Sequence, residues 1–443
     1  MAGQTRLERN QQLTLADGRS ITVMDKLGEG GQGIVYQVRL DDTGEAKALK
    51  WYYISKLSDP KNFYEHLKSN IESGSPSPSF IWPEQLTART SDDAPFGYIM
   101  DIYPKGYVGF SKYITARTNF SSVTAMIDAA INIVVAFEAL HNKGYNYQDL
   151  NDGNFAINPK DGSVLICDND NVMGHGYSSG ILGKSRYMAP EVVRGEKKPD
   201  KATDRFSLAV VLFILLMGDH PLEGKRTNVP ALTSKYERRF FGEEPLFIYD
   251  KDDDSNRPIP GLHRNAIAKW KYFPSYIREA FQQSFSKESL RQGTSNSRLL
   301  EAMWVHALMC LKASLVKCPH CHAEIFMECD RDLKCPECQQ NIHPSGYLRF
   351  PKRTNMNVMV PIYGGARLYE YHRDTNAKNY TDAIAVILEK PGKFGLKNLS
   401  GNKWTITAPD GSSSIKGQNE VAVLGKGFKI DFGKGIVGEV VQN

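Results

Sequence analysis

The chain has no unbroken apolar run of membrane-crossing length; the longest, around Phe206 to Met217, is about a dozen residues and reads as a buried core helix. Its start, Met1 to Asn10, is polar and lacks the apolar stretch of a secretory signal. Charge of one sign is barely in excess, 55 Lys+Arg against 50 Asp+Glu, which is too little to argue for a nucleic-acid partner. Cysteine is sparse, seven in 443 residues, and four of the seven sit in two Cys-x-x-Cys pairs, a metal pattern more than a disulfide framework. Secreted, membrane-spanning and collagen-like readings are set aside, and a reducing, cytoplasmic setting is expected. What is present is globular: 41% apolar and 24% charged residues, with a length that allows about three domains.

From Leu13 to Tyr36 apolar and polar residues alternate around Gly-rich turns; Val35, Val38 and Leu40 continue a strand, and Ala46 to Tyr53 reads as another. Asp59 to Ser73 has helical spacing, with Phe63, Leu67 and Ile71 on one face and Asp59 as N-cap. After a further strand, Tyr98 to Ile102, the pattern is mainly helical to about Lys317. Residues 318–343 then hold five of the seven cysteines and three of the ten histidines, and from Tyr347 onward Val, Ile, Thr and Gly alternate as in a small all-β domain.

Gly28-Glu29-Gly30-Gly31-Gln32-Gly33-Ile34-Val35 fits G-x-G-x-x-G-x-V, a string that lets main-chain N–H groups approach phosphate oxygens closely. A dinucleotide fingerprint needs a helix straight after the glycines; here a strand follows, and then Lys47-Ala48-Leu49-Lys50. Tyr147-Gln148-Asp149-Leu150-Asn151-Asp152-Gly153-Asn154 has the Asp-to-Asn spacing of a kinase catalytic loop. Asp168 lies in Ile166-Cys167-Asp168-Asn169-Asp170, where kinases carry Asp-Phe-Gly, and Gly183 to Glu191 ends in Ala189-Pro190-Glu191. Asp204 opens the long apolar helix, and Arg298 and Trp304 resemble the late Arg and Trp of the last kinase helix, a likeness that implies Arg298 as the counter-ion of Glu191. On these ordered matches the chain resembles the eukaryotic-like protein kinase superfamily from about Leu13 to Leu311. The Tyr-Gln-Asp and Asp-Asn-Asp strings are similar to those of an atypical, bacterial-type branch associated with a partner phosphatase.

The resemblance implies an α+β, two-lobed fold with a β-rich N-lobe (about 13–103) and a helical C-lobe (about 104–312). It implies a Ser/Thr kinase using ATP and Mg²⁺, with Mn²⁺ as an alternative ion, on a protein hydroxyl, without nucleic acid or membrane. Gly28, Gly30, Gly33, Val35 and Asp101 would line the nucleotide site, with Lys50 on the phosphates, Asn154 and Asp168 on the metal, and Asp149 accepting the substrate proton. Lys50 needs a carboxylate, expected from Glu65 on the first helix or else Glu72. Four departures stand out. Gln148 replaces the Arg that receives an activation-loop phosphate, so activity is expected not to depend on phosphorylation of Ser178, Ser179 or Ser185. Tyr147 and Asn169 replace stacked His and Phe, which suggests a Tyr hydroxyl bonded to the Asn side chain. Asn151 replaces a Lys, and Lys184 is expected to supply the missing positive charge. A pseudokinase that binds nucleotide as a scaffold is the alternative.

Cys318-Pro-His-Cys321, thirteen residues, and Cys335-Pro-Glu-Cys338 match two knuckles around a structural Zn²⁺, with Cys329, His320, His322 and His343 outside the set. This reads as a zinc ribbon over 313–345 tying the kinase to residues 346–443. Gly395 to Ser400, Trp404, and Ala422 to Gly433 resemble the second half of a forkhead-associated sandwich. Arg367 and His372 lack the spacing of that family's phosphothreonine site, so docking on a partner or on the kinase itself is the expected role.

Overall fold

The computed structural model describes residues 6–174, 183–291, 293, 297–329, 333–353, 356–374 and 376–442. Its N-terminal part is one antiparallel sheet of six strands: β1 (Gln12–Thr14), β2 (Ser20–Glu29), β3 (Gly33–Leu40), β4 (Ala46–Tyr52), β5 (Gln85–Leu86) and β6 (Gly97–Met100), in the order β1-β2-β3-β4-β6-β5. The period-two alternation sorts its side chains. Ile34, Tyr36, Val38, Leu49 and Trp51 enter a core on one face. On the other, Val35, Lys50 and Tyr98 stand in register across β3, β4 and β6.

Helix α1 (Pro60–Ser73) packs on the Lys50 face, where Tyr64 and Leu67 join Tyr52, Phe96 and Tyr98 in a cluster, with Phe63 and Ile71 against it. Its ends follow its sequence. Asp59 accepts from the Asn62 N–H at 3.0 Å, Pro60 occupies the first turn where no N–H is needed, and Gly74 at φ 70° ends the helix.

A larger apolar core organises the helical part around helices Val123–Asn142, Lys201–Met217 and Glu301–Ser314. The first is 20 residues long and its most apolar 18-residue window has a mean hydropathy of 1.8, so the sequence does hold a helix of membrane-crossing length and composition. Two-thirds of that window is buried inside the protein, because it runs through the middle of the core. Lys201–Met217 begins earlier than its apolar run suggests: Asp200 and Thr203 close a capping box, which leaves Asp204 within the first turn and buried.

Beyond Ser314 the chain makes two short hairpins, Leu315–Lys317 with Glu324–Phe326 and Leu333–Lys334 with Asn341–Ile342. Two antiparallel sheets complete the chain. One has six strands, in the order Met356–Pro361, Gly346–Arg353, Val437–Gln442, Lys429–Asp431, Trp404–Thr407, Ser413–Lys416; the other has four, in the order Arg367–Tyr369, Ala383–Lys390, Lys393–Asn398, Val421–Val423. Leu348, Val358, Ile387, Leu396, Trp404 and Ile430 from both sheets share one core.

This β-region is seated on the helical part. The Lys312 ammonium, 3% exposed, meets Asp128 at 2.5 Å, donates to the Tyr380 carbonyl at 2.9 Å and lies 4.3 Å from the Tyr369 ring centroid. His306 Nδ1 is 2.9 Å from the Tyr371 hydroxyl, and Tyr369 and Tyr371 belong to the helical core. Removing one member of a buried ion pair strands the other without a partner. Lys312→Ala is therefore expected to lower stability by about 3 kcal/mol, measured by denaturant unfolding of the full chain.

Candidate active site

The turn between β2 and β3 is closed by Gly30 N–H donating to the Gly33 carbonyl at 2.9 Å. A side chain at Gly33 would strike the Trp51 carbonyl, its Cβ falling 2.1 Å from that oxygen, so only glycine lets β3 lie this close to β4. Around Gly28 and Gly30 nothing stands within 4 Å of a Cβ position, which leaves the backbone open to a ligand. Glu29 is fastened from outside: Lys26 at 2.5 Å and the Tyr53 hydroxyl hold its carboxyl down to about 2. Below the turn, Lys50 is 7% exposed and its Nζ lies 2.6 Å from Asp170 Oδ2 and 3.3 Å from Asp168 Oδ1. Burial works against the ammonium, yet the carboxylates of Asp170 and Asp168 outweigh it and hold Lys50 above its ordinary value.

The loop carrying Asp149 is hung from Asp204, whose carboxylate accepts the N–H groups of Tyr147 (2.6 Å) and Gln148 (3.2 Å) and meets His141 Nε2 at 3.1 Å. Those bonds hold Gln148 at φ 71°. Asn151 Nδ2 donates to Asp149 Oδ1 at 2.8 Å, and Asn154 Nδ2 donates to the Asp149 carbonyl at 2.7 Å, which leaves Asn154 Oδ1 as the amide atom for a cation. The Asn154 carbonyl accepts the Cys167 N–H at 2.9 Å, tying the loop to Asp168, itself at φ 52° and half-exposed. Burial pushes the Asp149 carboxyl above its usual range; the Asn151 hydrogen bond opposes this, and the nearby Asp168 charge adds to it. The two carboxylates thus share one site. Gly183 closes on Asp149, since a Cβ there would lie 2.7 Å from its Oδ1.

Several sequence expectations need correction. Glu65 does not reach Lys50: its carboxylate is exposed and 3.8 Å from Arg89, because its position on α1 turns it away from the sheet, and Glu72 is exposed as well. The counter-charge comes from Asp170, to which the sequence motifs assign no role. An acid at the position where the family has glycine was the available signal. Asp101 follows β6 directly, with its carboxylate 2.7 Å from Lys47, three positions before Lys50 on β4 and so on the opposite face of the sheet; its side chain is not in the cleft. The Tyr147 hydroxyl donates to the Cys167 carbonyl rather than to Asn169, whose Nδ2 instead donates to the carbonyls of Ile81 (2.7 Å) and Ile166 (2.9 Å). Lys184 stands at the loop, but its ion partner is Asp152 at 2.7 Å. A further contact had no sequence signal: the Tyr103 hydroxyl, beyond β6, donates to Cys167 Sγ beside Asp168. Ser178 and Ser179 lie outside the described residues. Glu191 and Arg298 meet as expected, in a buried bidentate pair at 2.8 and 2.9 Å.

Cys318, Cys321, Cys335 and Cys338 form a second cluster, their sulfurs all within 4.8 Å of one another. Cys318 and Cys338 are 3.7 Å apart, Cys321 and Cys335 3.6 Å, far beyond a disulfide bond. A tetrahedron of thiolates around Zn²⁺ has an edge of about 3.8 Å, so the donor set fits that ion. In the β-region, Arg367 is exposed, whereas His372 is fully buried and accepts the Tyr369 N–H at 3.0 Å.

Comparison with known proteins finds the protein kinase domain family over residues 21–240, about half of the chain. The chain is 31% identical over 216 residues to the serine/threonine-protein kinase AtPK2/AtPK19 of Arabidopsis thaliana, covering 47% of this chain and 43% of that protein. It is 29% identical over 232 residues to beta-adrenergic receptor kinase 1 of Mesocricetus auratus, covering 50% of this chain and 32% of that one. The chain thus spans less than half the length of these curated relatives.

Proposed function

Through residues 21–240 this chain belongs to the protein kinase superfamily, and we propose that it acts as a Mg²⁺-dependent serine/threonine kinase transferring the γ-phosphate of ATP to protein hydroxyls. The observation that carries the reading is convergence: Lys50, Asp149, Asn154 and Asp168, distant in sequence, face one cleft beneath an open glycine turn. A scaffold without turnover would have no need for all four.

In this reading Lys50 holds the α- and β-phosphates and the glycine turn covers them. Asp168 and Asn154 Oδ1 would hold Mg²⁺, which neutralises phosphate charge when bound. Asp149 orients the substrate hydroxyl and takes its proton, with Asn151 fixing its carboxylate and Lys184, anchored on Asp152, adding positive charge beside it. Because Gln148 carries no positive charge to pair with an activation-loop phosphate, the loop geometry rests on Asp204 and needs no activating modification. The Tyr147-Gln148-Asp149 and Asp168-Asn169-Asp170 strings favour an atypical, bacterial-type branch. Around this core we propose three units: kinase at 1–312, zinc ribbon at 313–345, and a forkhead-associated-like β-domain at 346–443. The two sheets sharing a core support a sandwich, and burial of His372 favours docking over phosphopeptide binding.

Incubation of the full chain with labelled ATP and Mg²⁺ is expected to give autophosphorylation or substrate labelling. Asp168→Ala should abolish it, and Lys184→Met should lower kcat with little change in KM for ATP; ATP binding without turnover would favour the scaffold. Alanine at Ser178, Ser179 and Ser185 together should leave most turnover intact, and total loss would show that the loop requires a phosphate. Metal analysis of the purified full chain should find one zinc per molecule, absent from a Cys318→Ser/Cys321→Ser variant. Zinc retained in that variant would refute the ribbon.

A further inference from the structure

The buried lysine in this cleft has an unusual source of counter-charge, and the choice of source determines what controls its alignment. Asp170 is fully buried, and its Oδ2 accepts both Lys50 Nζ at 2.6 Å and the Tyr52 hydroxyl. Asp168 is farther, at 3.3 Å, and half-exposed. A metal ion drawn to Asp168 would engage the same carboxylate that now faces Lys50. Asp170, with no solvent contact, remains to keep the ammonium charged and in place.

Helix α1 offers no carboxylate to this network. Its contribution is apolar and neutral. The Phe63 ring packs edge-on against Tyr52 at 5.1 Å, Asn70 Nδ2 donates to the Val172 carbonyl at 3.0 Å, and His66 lies 3.0 Å from Asn70. Burial holds His66 below its ordinary value, against the pull of the Asp170 charge. The helix therefore braces the 169–172 segment, while the charge that faces Lys50 belongs to that segment itself.

We infer that Asp170 is the positioning residue for Lys50, replacing the helix-borne carboxylate, so that lysine alignment is set by the segment following Asp168 and not by the placement of α1 charges. The inference rests on the kinase reading and adds to it the residue that governs phosphate anchoring. Its physical consequence is that lysine alignment and metal binding are built on one stretch of chain, Asp168 to Asp170. Tyr52, two positions along β4 from Lys50, completes the clamp by donating to the same oxygen.

A double-mutant cycle tests this, since a residue acting only through Lys50 loses its effect once Lys50 is gone. Asp170→Asn is expected to lower kcat at least tenfold in the otherwise wild-type chain, but less than twofold in a Lys50→Met background. Glu65→Gln/Glu72→Gln should leave kcat unchanged. Calorimetric binding of Mg·ATP gives a readout independent of turnover: Asp170→Asn should raise Kd at least fivefold in the wild-type background and leave it unchanged beside Lys50→Met. Equal losses in both backgrounds would mark Asp170 as merely structural and overturn the inference, as would wild-type kcat and Kd in Asp170→Asn. A tenfold loss in the Glu65/Glu72 variant would return the role to α1. Should the wild-type chain bind Mg·ATP without turning it over, the proposed function fails, and the binding cycle still decides the role of Asp170.

Discussion

A buried ammonium has to be neutralised where it stands, and in this protein that requirement at Lys50 draws the two halves of the kinase domain together. Lys50 sits on the central strand of the N-terminal sheet; its partners, Asp168 and Asp170, belong to the segment that comes after the Asp149 loop. Without these carboxylates the desolvation cost would force the lysine to deprotonate or leave the cleft. The pair therefore acts across the lobes as well as within the site. Tyr52 and Phe63 extend it into an aromatic cluster beneath α1.

The departures from the family pattern form a coherent set once placed in three dimensions. Asn169, in place of an apolar ring, bonds two carbonyls, and Tyr147 bonds a third, so a polar lattice does the bracing that stacked rings do elsewhere. Each of these groups is buried, which makes its hydrogen bonds obligatory. Asn151 directs its amide to Asp149, and Lys184 is held by Asp152. The loop as a whole hangs from one acceptor, Asp204, which is in turn clasped by His141; the other nitrogen of that ring meets Glu301, which Arg205 grips at 2.7 Å. A chain of buried charges thus runs from the site to the helix Glu301–Ser314.

That helix also supports the C-terminal third of the chain. Glu301–Ser314 presents Lys312 and His306 to the β-region, while the hairpin that follows it is pinned by Phe326 against Phe273, and Glu328 just beyond accepts from the Ser275 N–H and hydroxyl. The cysteine segment joins the core of the β-region through Val316, Cys318, Ile325, Met327, Cys335 and Ile342.

Local pattern made much of this readable in the chain itself. The strand alternation, the Asp59 cap with the Phe63–Leu67–Ile71 stripe, the glycine string and the order of Lys50, Asp149, Asn154 and Asp168 depend on near-neighbour stereochemistry and on fixed spacings. The two Cys-x-x-Cys knuckles are local turns and were legible for the same reason. Partner choice was not. Glu65 and Asp170 are both acidic and both at plausible distances along the chain, but which one meets Lys50 depends on the rotation of α1 over the sheet. Asp101 likewise turns to Lys47 because of strand register, and Tyr103 reaches Cys167 only because the lobes are folded together. Sequence alone determined which chemical groups are available and the elements that bear them. Tertiary packing decided which buried charge is matched with which, because that pairing is settled by desolvation, a property of the assembled interior and not of any segment within it.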